Sequence, residues 1–522
     1  MATKKTPPKK PAPKKTATKI KAVTTPKARR STDTSPLARA SRVSIRMYRQ
    51  GLGDCFLVTF RTASKTPFNI LIDCGVVLGT PDPVTPMKRV VEDIGRVTAG
   101  QIDLLVLTHE HWDHLSGFNQ VQDLFEKLKI QQVWVAWTED PNDPLANKLR
   151  AERRTAVEAL RIAVNHLALA GDADAAGRVD SLIGFFGATS GSTRDAFDYA
   201  KKRAPGGKPR YCHPGEPPIA LPELPNVRFW ILGPPKDETL IKKSNPSQNE
   251  AYGLDASPDG SQALFIAGLK RNIVAAAETS MQDDSIDDPF ERTYSISMER
   301  AEQISFFKKR YYGNSDDGSI YEKSSGKEFR DQSWRRIDSA WMETSETMAL
   351  QLDSATNNTS LVLAIELTPT GEILLFPGDA QGGNWLSWQD LKWETEDSAG
   401  KKVVVTGPDL LKRTIFYKVG HHGSHNATLK AKGLELMVNE DLMAMIPVDH
   451  AMAVKKRWGR MPLPELMDRI KEKTLGRVLR VDDEVKTTAD LAKLKPDDVS
   501  PADWKQFTDR VEVTDLYYQI SL

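Results

Sequence analysis

The sequence predicts an α+β fold in which a meander of strands passes into β-α-β units. Two observations carry that prediction. Short apolar runs with strand character recur at both ends of the chain, and helical patterns separate several of them. A third observation sets the organisation. Between the strand-rich parts lie a helical stretch, 139–225, and a polar one, 237–354, which read as insertions on a common core. A length of 522 residues leaves room for both. No internal repeat of fixed period is evident.

Residues 1–42 set Lys4-Lys5, Lys9-Lys10 and Lys14-Lys15 among Pro and Thr, cannot bury an apolar face, and are expected to be disordered. Order is expected from Val43. Val43–Tyr48 alternates as a strand, Gly51-Leu52-Gly53-Asp54 is a turn, and Cys55–Phe60 is a second strand. A third, from Asn69, ends on the turn Asp73-Cys74-Gly75. A helix near 86–98 leads to the apolar run Leu104–Leu107, a second helix is expected near 115–128, and Gln131–Trp137 is a strand. These elements form the first core segment, 43–138.

Within 139–225, Asn147–His166 is rich in Ala, Leu, Arg and Glu, as helices are, and Pro205–Pro225 is loop-like. The core segment 226–236 returns to a strand at Val227–Leu232 and a turn at Gly233-Pro234-Pro235. The last segment, 355–522, carries strands at Ser360–Leu367, Glu372–Phe376, Thr414–Val419 and near Leu442–Pro447, a helix at Pro464–Lys473, and a closing strand at Leu516–Leu522.

The total charge of +2 conceals an asymmetry. Residues 1–42 hold nine lysines and four arginines against Asp33 alone, a net +12, which leaves −10 for the remainder. The tail reads either as an electrostatic arm for nucleic acid or another polyanion, or as a solubilising segment. No run of about 18 apolar residues is present, so no transmembrane helix and no membrane partner are expected. The N-terminus lacks the apolar core of a signal peptide. Cys55, Cys74 and Cys212 are too few and too scattered for a disulfide framework, and the cytoplasm is the expected compartment.

Chemistry concentrates in Leu104-Leu105-Val106-Leu107-Thr108-His109-Glu110-His111-Trp112-Asp113-His114. The chain has nine histidines, and three of them fall here, directly after an apolar strand. Alternate residues of an extended turn, His109, His111 and Asp113, can face one cavity, with His114 where a helix would begin. Imidazole nitrogen and carboxylate oxygen together suit zinc, manganese or iron. Further on, the strand Ile373–Phe376 ends in Gly378-Asp379, and Asp379 is placed to bridge two cations. Thr414–Val419 runs into Gly420-His421-His422-Gly423-Ser424. One of these imidazoles can ligate metal while the other faces the substrate as a general acid or hydrogen-bond donor. The sequence leaves the division open; the expectation carried forward is His422 on metal and His421, with Ser424, at the substrate. Asn358 and Ser360, at the opening of a strand, either contact a substrate oxyanion or cap backbone groups. Asp73 either orients a ligand histidine through its second nitrogen or simply forms its turn.

His-x-His-x-Asp-His after a buried strand resembles the metal-binding signature of the metallo-β-lactamase-fold hydrolases. That resemblance implies a four-layer αββα sandwich. It also implies Zn2+ or Mn2+, two per chain: one on His109 and His111, the second on Asp113 and His114, about 3.5–4 Å apart. The ordered series sharpens it: Gly51-x-Gly53-Asp54, Ile70-Leu71-Ile72-Asp73-x-Gly75, Leu232-Gly233-Pro234, Asn357-Asn358-x-Ser360, Gly378-Asp379 and His421-His422-Gly423-Ser424. It resembles the soluble hydrolase domain of the competence protein ComEC and its stand-alone relatives, over roughly 43–138, 226–236 and 355–480. The chain departs from that pattern at two places. Gly459-Arg460-Met461-Pro462 stands where the family often has Gly-His-Pro, a role that is lost or passes to His450. The histidine many members carry between the first motif and the Gly-Asp strand has no match, since His166 and His213 lie in insertion-like sequence.

Three functional expectations follow. The first is a metal-dependent phosphodiesterase or nuclease, with His109, His111, Asp113, His114, Asp379 and His422 as ligands and Asp113 and His421 as catalytic residues. The second is a hydrolase of the same fold acting on a lactone, thioester or β-lactam. The third is a metal-stabilised binding protein without turnover.

Overall fold

Two large sheets organise the protein, as seen in a computed structural model that describes residues 42–62, 66–169, 173–183, 193–243, 296, 298–307, 311, 344–368, 370–396, 400–456, 458 and 460–522. The expected disorder of residues 1–41, and the expectation for most of 244–343, lie outside the described residues. The first sheet has the spatial order Val511–Val513, Tyr517–Ser521, Val43–Tyr48, Phe56–Phe60, Phe68–Ile72, Leu104–Leu107, Val133–Ala136, Arg210–Cys212. It is antiparallel up to Phe68–Ile72 and parallel beyond.

The second sheet runs Val478–Arg480, Met443–Ile446, Thr414–Lys418, Glu372–Phe376, Val362–Leu367, Leu224–Gly233, Ile219–Leu221. It is parallel as far as Glu372–Phe376 and antiparallel after it. Each sheet therefore has a parallel half, and the carboxyl ends of parallel strands are where such sheets gather functional loops.

Alternation along the strands sorts the side chains. Ile45, Val58, Ile70 and Val106 of the first sheet share one apolar core with Phe229, Leu363, Leu374, Phe416 and Met445 of the second. Phe56 meets Phe376 edge-on there, ring centroids 5.9 Å apart. The opposite register of the first sheet, including Leu71, Leu105 and Val135, packs on the helices Val84–Val97, Trp112–Gln120 and Thr193–Lys202. In the second sheet Trp230, Leu375 and Tyr417 pack on the helices Gly382–Ser387 and Pro464–Lys473. The central parallel strands, such as Leu104–Leu107, Val133–Ala136 and Met443–Ile446, are buried on both faces and apolar throughout.

Several elements depart from expectation. The helix expected near 115–128 begins at Trp112 and breaks at Val121, whose φ of −133° leaves the helical region, before resuming as Gln122–Phe125. The stretch read as loop-like holds Arg210–Cys212 and Ile219–Leu221, which extend one sheet each. Strands this short are held by main-chain pairing with a neighbour rather than by a pattern of their own. Helices Pro144–Leu169, Ala173–Ile183 and Thr344–Asn357 share a small separate core that includes Leu160, Val179 and Leu352. Among the described residues no helix is long and apolar enough to cross a membrane. The three cysteines are buried free thiols.

Candidate metal centre

Strand Leu104–Leu107 is held parallel between Phe68–Ile72 and Val133–Ala136, so the loop after it is fixed on both sides. Helix Trp112–Gln120 starts earlier than expected. Asp113 thus stands in its first turn, not on an extended segment, where the helix dipole favours an acid. Two glycine turns pass beneath this helix start. A Cβ on Gly53 would lie 2.7 Å from the Asp113 carbonyl oxygen, and one on Gly75 only 2.5 Å from it. The absence of side chains there lets the Asp54 and Cys74 amides donate to the Asp113 and His114 carbonyls, at 3.0 and 2.8 Å.

Asp379 and the His421-His422 pair converge on the same point from the second sheet. Asp113 Oδ2 lies 2.8 Å from His422 Nε2, and His114 Nε2 lies 3.1 Å from Asp379 Oδ2. One ligand atom from each of Asp113, His114, Asp379 and His422 lies within 4.8 Å of all the others, and all four residues are buried. His421 and His422 both adopt left-handed backbone, φ 44° and 52°, a strain of roughly 1–3 kcal/mol each. The His421 amide donating to Asp379 Oδ1 at 2.9 Å and His422 Nδ1 donating to the Pro447 carbonyl at 2.7 Å hold that geometry.

The outer nitrogens of the histidines are engaged. His114 Nδ1 donates to Asp73 Oδ2 at 2.8 Å, and Asp73 also accepts from the Thr108 amide and hydroxyl at 2.8 and 2.6 Å. Thr108 Oγ1 lies 3.0 Å from His109 Nδ1. These contacts leave His114 Nε2, His422 Nε2 and His109 Nε2 turned inward, as ligation requires. His109 Nε2 is 3.0 Å from His111 Nδ1, a second place where two imidazole nitrogens meet. Glu110, between these two histidines, is held by Arg153 at 2.5 Å and Arg194 at 3.0 Å, which ties the loop to two helices of the 139–225 stretch.

Charge around the centre is uneven. Burial pushes the Asp113 carboxyl up, yet His114 and His422 outweigh it and bring the pKa down to about 2. Burial likewise opposes ionisation of Asp379, but Lys418 and His114 hold it well below the usual carboxylate range. Burial disfavours the His114 cation, and Asp379, Asp54 and Asp113 together overcome that and raise its pKa well above normal. His111, by contrast, is lowered to about 3, chiefly by burial. His421 falls to about 4 for the same reason. The Gln381 amide lies 3.2 Å from His421 Nδ1, and with the amide donating there, Nε2 carries the proton of the neutral ring.

The remaining expected residues are placed as follows. Asn358 is fully buried. Its amide donates to the Ile241 and Lys243 carbonyls, and its carbonyl accepts from the Gln381 and Asn384 amides. Ser360 Oγ accepts from the Asp379 amide at 3.1 Å. Ser424 Oγ donates to Asn426 at 3.2 Å. His213 is half-buried and outside the metal-type clusters found among the described residues. The side chain of His166 lies outside the described residues. His450 Nδ1 contacts the Met461 carbonyl at 2.8 Å, and Arg460 pairs with Glu465 on the surface.

Sequence reasoning passed over three residues of the centre. Lys418 Nζ, 2% exposed, lies 2.5 Å from Asp54 Oδ2 and 3.0 Å from Asp379 Oδ1. A lysine inside an otherwise apolar strand was the available signal. Asp54, read only as a turn residue, lies 3.8 Å from both His114 Nδ1 and His422 Nδ1. Asp353 Oδ1 lies 3.6 Å from His111 Nε2.

The donor set fits a divalent cation. Asp113 Oδ1 is buried without a hydrogen-bond partner, and buried carboxylates cluster beside inward-facing imidazole nitrogens. Residues 49–130 match the family model of the metallo-beta-lactamase superfamily. The match holds Asp54, Asp73 and the whole 109–114 motif, and it implies a metal-dependent hydrolase. Members of the superfamily usually bind divalent metals, typically zinc. No curated protein and no solved structure matches the chain.

Proposed function

We propose that the protein is a two-metal phosphodiesterase acting on nucleic acid or a nucleotide-like phosphodiester, on the four-layer αββα scaffold of the superfamily. The convergence of Asp113, His114, Asp379 and His422, from three distant segments, within 4.8 Å carries this reading. His109 Nε2 and His111 Nδ1 would hold one cation. Asp113, His114 Nε2, Asp379 Oδ2 and His422 Nε2 would hold the other, and Asp379 is positioned to serve both. Bound divalent cations, zinc or manganese, lower the pKa of a coordinated water and offset charge on a substrate oxygen.

His421, kept neutral by burial and carrying its proton on Nε2, offers that N–H as a hydrogen bond to the charge that builds on a substrate oxygen. Ser424 lies one turn away and supplies a hydroxyl at the substrate side. Asn358 and Ser360 are assigned to bracing the Asp379 turn, because their hydrogen bonds are made to the main chain around it. A phosphate substrate is favoured by the +12 tail and by the ordered motifs shared with the ComEC hydrolase domain. The −10 body argues for single strands or small diesters over a broad duplex groove.

The test is hydrolysis of DNA, RNA and bis-nitrophenyl phosphate by zinc- or manganese-loaded protein, beside a chromogenic cephalosporin and a lactone. Phosphodiester turnover that Asp113→Ala abolishes is expected. Faster carbonyl turnover would overturn the substrate assignment, and no turnover of any kind would overturn the enzyme.

A further inference from the structure

The four motif histidines are not supported alike. His109 and His114 have their outer nitrogens on Thr108 and Asp73, and His422 has its on the Pro447 carbonyl. In each of these three the outer nitrogen is Nδ1. His111 is turned the other way. Its Nδ1 faces His109 Nε2, so its outer nitrogen is Nε2, and the carboxylate of Asp353 lies 3.6 Å from Nε2.

Asp353 comes from helix Thr344–Asn357, which packs with Pro144–Leu169 and Ala173–Ile183 in a separate small core. It therefore lies outside the segment that matches the superfamily model. Its side chain is 9% exposed. Oδ2 accepts from Asn357 Nδ2 at 3.1 Å, one helical turn on, while the buried Oδ1 has no hydrogen-bond partner. A buried carboxylate oxygen without a donor is costly unless something completes it. The same helix runs through Asn357 and Asn358 into Ser360, whose hydroxyl receives the Asp379 amide, so Asp353 is set by the framework that sets Asp379.

We infer that Asp353 is a positioning residue for His111: its Oδ1 accepts a hydrogen bond from Nε2–H, keeps the proton there so that the ring is the Nδ1-ligating tautomer, and so makes the His109–His111 cation position depend on the inserted helix. This rests on the two-metal reading above. At 3.6 Å the pair stands just beyond hydrogen-bond length, and a cation bound at Nδ1 would strengthen the Nε2–H donor and favour closing that gap. The consequence is an uneven centre. The Asp113–His114–Asp379–His422 position is complete within the two sheets, and the other is completed by an element packed outside them.

The experiment strips the full-length protein with chelator and titrates Mn2+ by calorimetry and electron paramagnetic resonance. Wild type, Asp353→Asn and Asp353→Ala are compared, with Asp353→Glu as the conservative variant. Wild type is expected to bind two ions and show the signal of a spin-coupled pair. Asp353→Ala is expected to bind one ion as in wild type and the second about 10–100-fold more weakly, with the coupled signal replaced by that of single ions. Asp353→Asn, which keeps the shape, is expected to lie between, and Asp353→Glu to recover part of the loss. Unfolding of the stripped proteins by urea provides the control that a merely structural role would move. Two unchanged affinities in Asp353→Ala overturn the inference alone, as does a loss of both ions in parallel with stability in Asp353→Ala and Asp353→Asn. A single ion in wild type, or none, overturns the two-metal reading itself.

Discussion

His109 and His111 come from a single turn and meet through nitrogens 3.0 Å apart, whereas Asp113, His114, Asp379 and His422 draw on three segments, the Asp113–His422 pair being separated by 309 residues of sequence. The local position holds imidazoles that burial keeps neutral. The assembled position is rich in carboxylate, and its histidines are drawn toward the charged form by Asp379, Asp113 and Asp54 against the penalty of burial. The difference separates two ways of making a ligand site. One draws both its imidazoles from a single hexapeptide after one strand; the other exists only once both sheets have closed over their shared core.

The sharpest way to break that contrast is Asp379→Ala. Asp379 belongs to the four-residue cluster, and it also receives Lys418 and the His421 amide. Turnover is expected to fall on the order of a thousandfold, the loss of several kcal/mol of stabilisation. Bound metal should drop to one equivalent or fewer by elemental analysis. His109→Ala should spare the assembled position and keep one equivalent. Equal metal loss in the two variants would mean that the positions are not separable.

Lys418 tests how the assembled position is held together before any cation arrives. It is a buried lysine between Asp54 and Asp379, and those partners hold it charged despite burial. Lys418→Met leaves two buried carboxylates without their cation, a destabilisation of roughly 3–5 kcal/mol. The urea midpoint of the metal-free protein should fall accordingly, and loading with Zn2+ should restore much of it, because the added cation replaces the missing charge. A variant as stable as wild type without metal would remove Lys418 from the account of the centre.

What could be read from sequence divides along the same line. The 109–114 motif was legible because its residues are neighbours and the strand before it is an unbroken apolar run. Asp379 and His421-His422 were legible one by one as polar turns after apolar strands, and their meeting followed from the family resemblance more than from the residues. Asp54 was visible only as a turn residue, because its contacts with Lys418 and the two histidines belong to the closed structure. Asp353 gave no signal at all: an aspartate in a polar helix acquires meaning only when that helix is brought against His111. In the fold, the buried apolar strands declared themselves by composition. Arg210–Cys212, Ile219–Leu221 and Val511–Val513 did not, since pairing partners rather than their own side chains make them strands.

Proton release on loading should sharpen the comparison further, with the smallest effect. His109 and His111 are already neutral across the physiological range, His111 with a pKa of about 3, so a cation binding between them displaces no proton. The carboxylates raise the pKa of His422 and lift that of His114 well above normal, and the proton of either cation must leave before its Nε2 can ligate. The sign follows directly. Affinity at the assembled position should rise with pH, by up to about tenfold per unit for each proton released, until the folded-state values are passed. Affinity at the local position should stay flat above pH 5. Calorimetry of Zn2+ binding in buffers of different ionisation enthalpy counts the protons released at each position. Equal release from both would mean that the carboxylates do not charge His114 and His422, and the electrostatic distinction between the two positions would be lost.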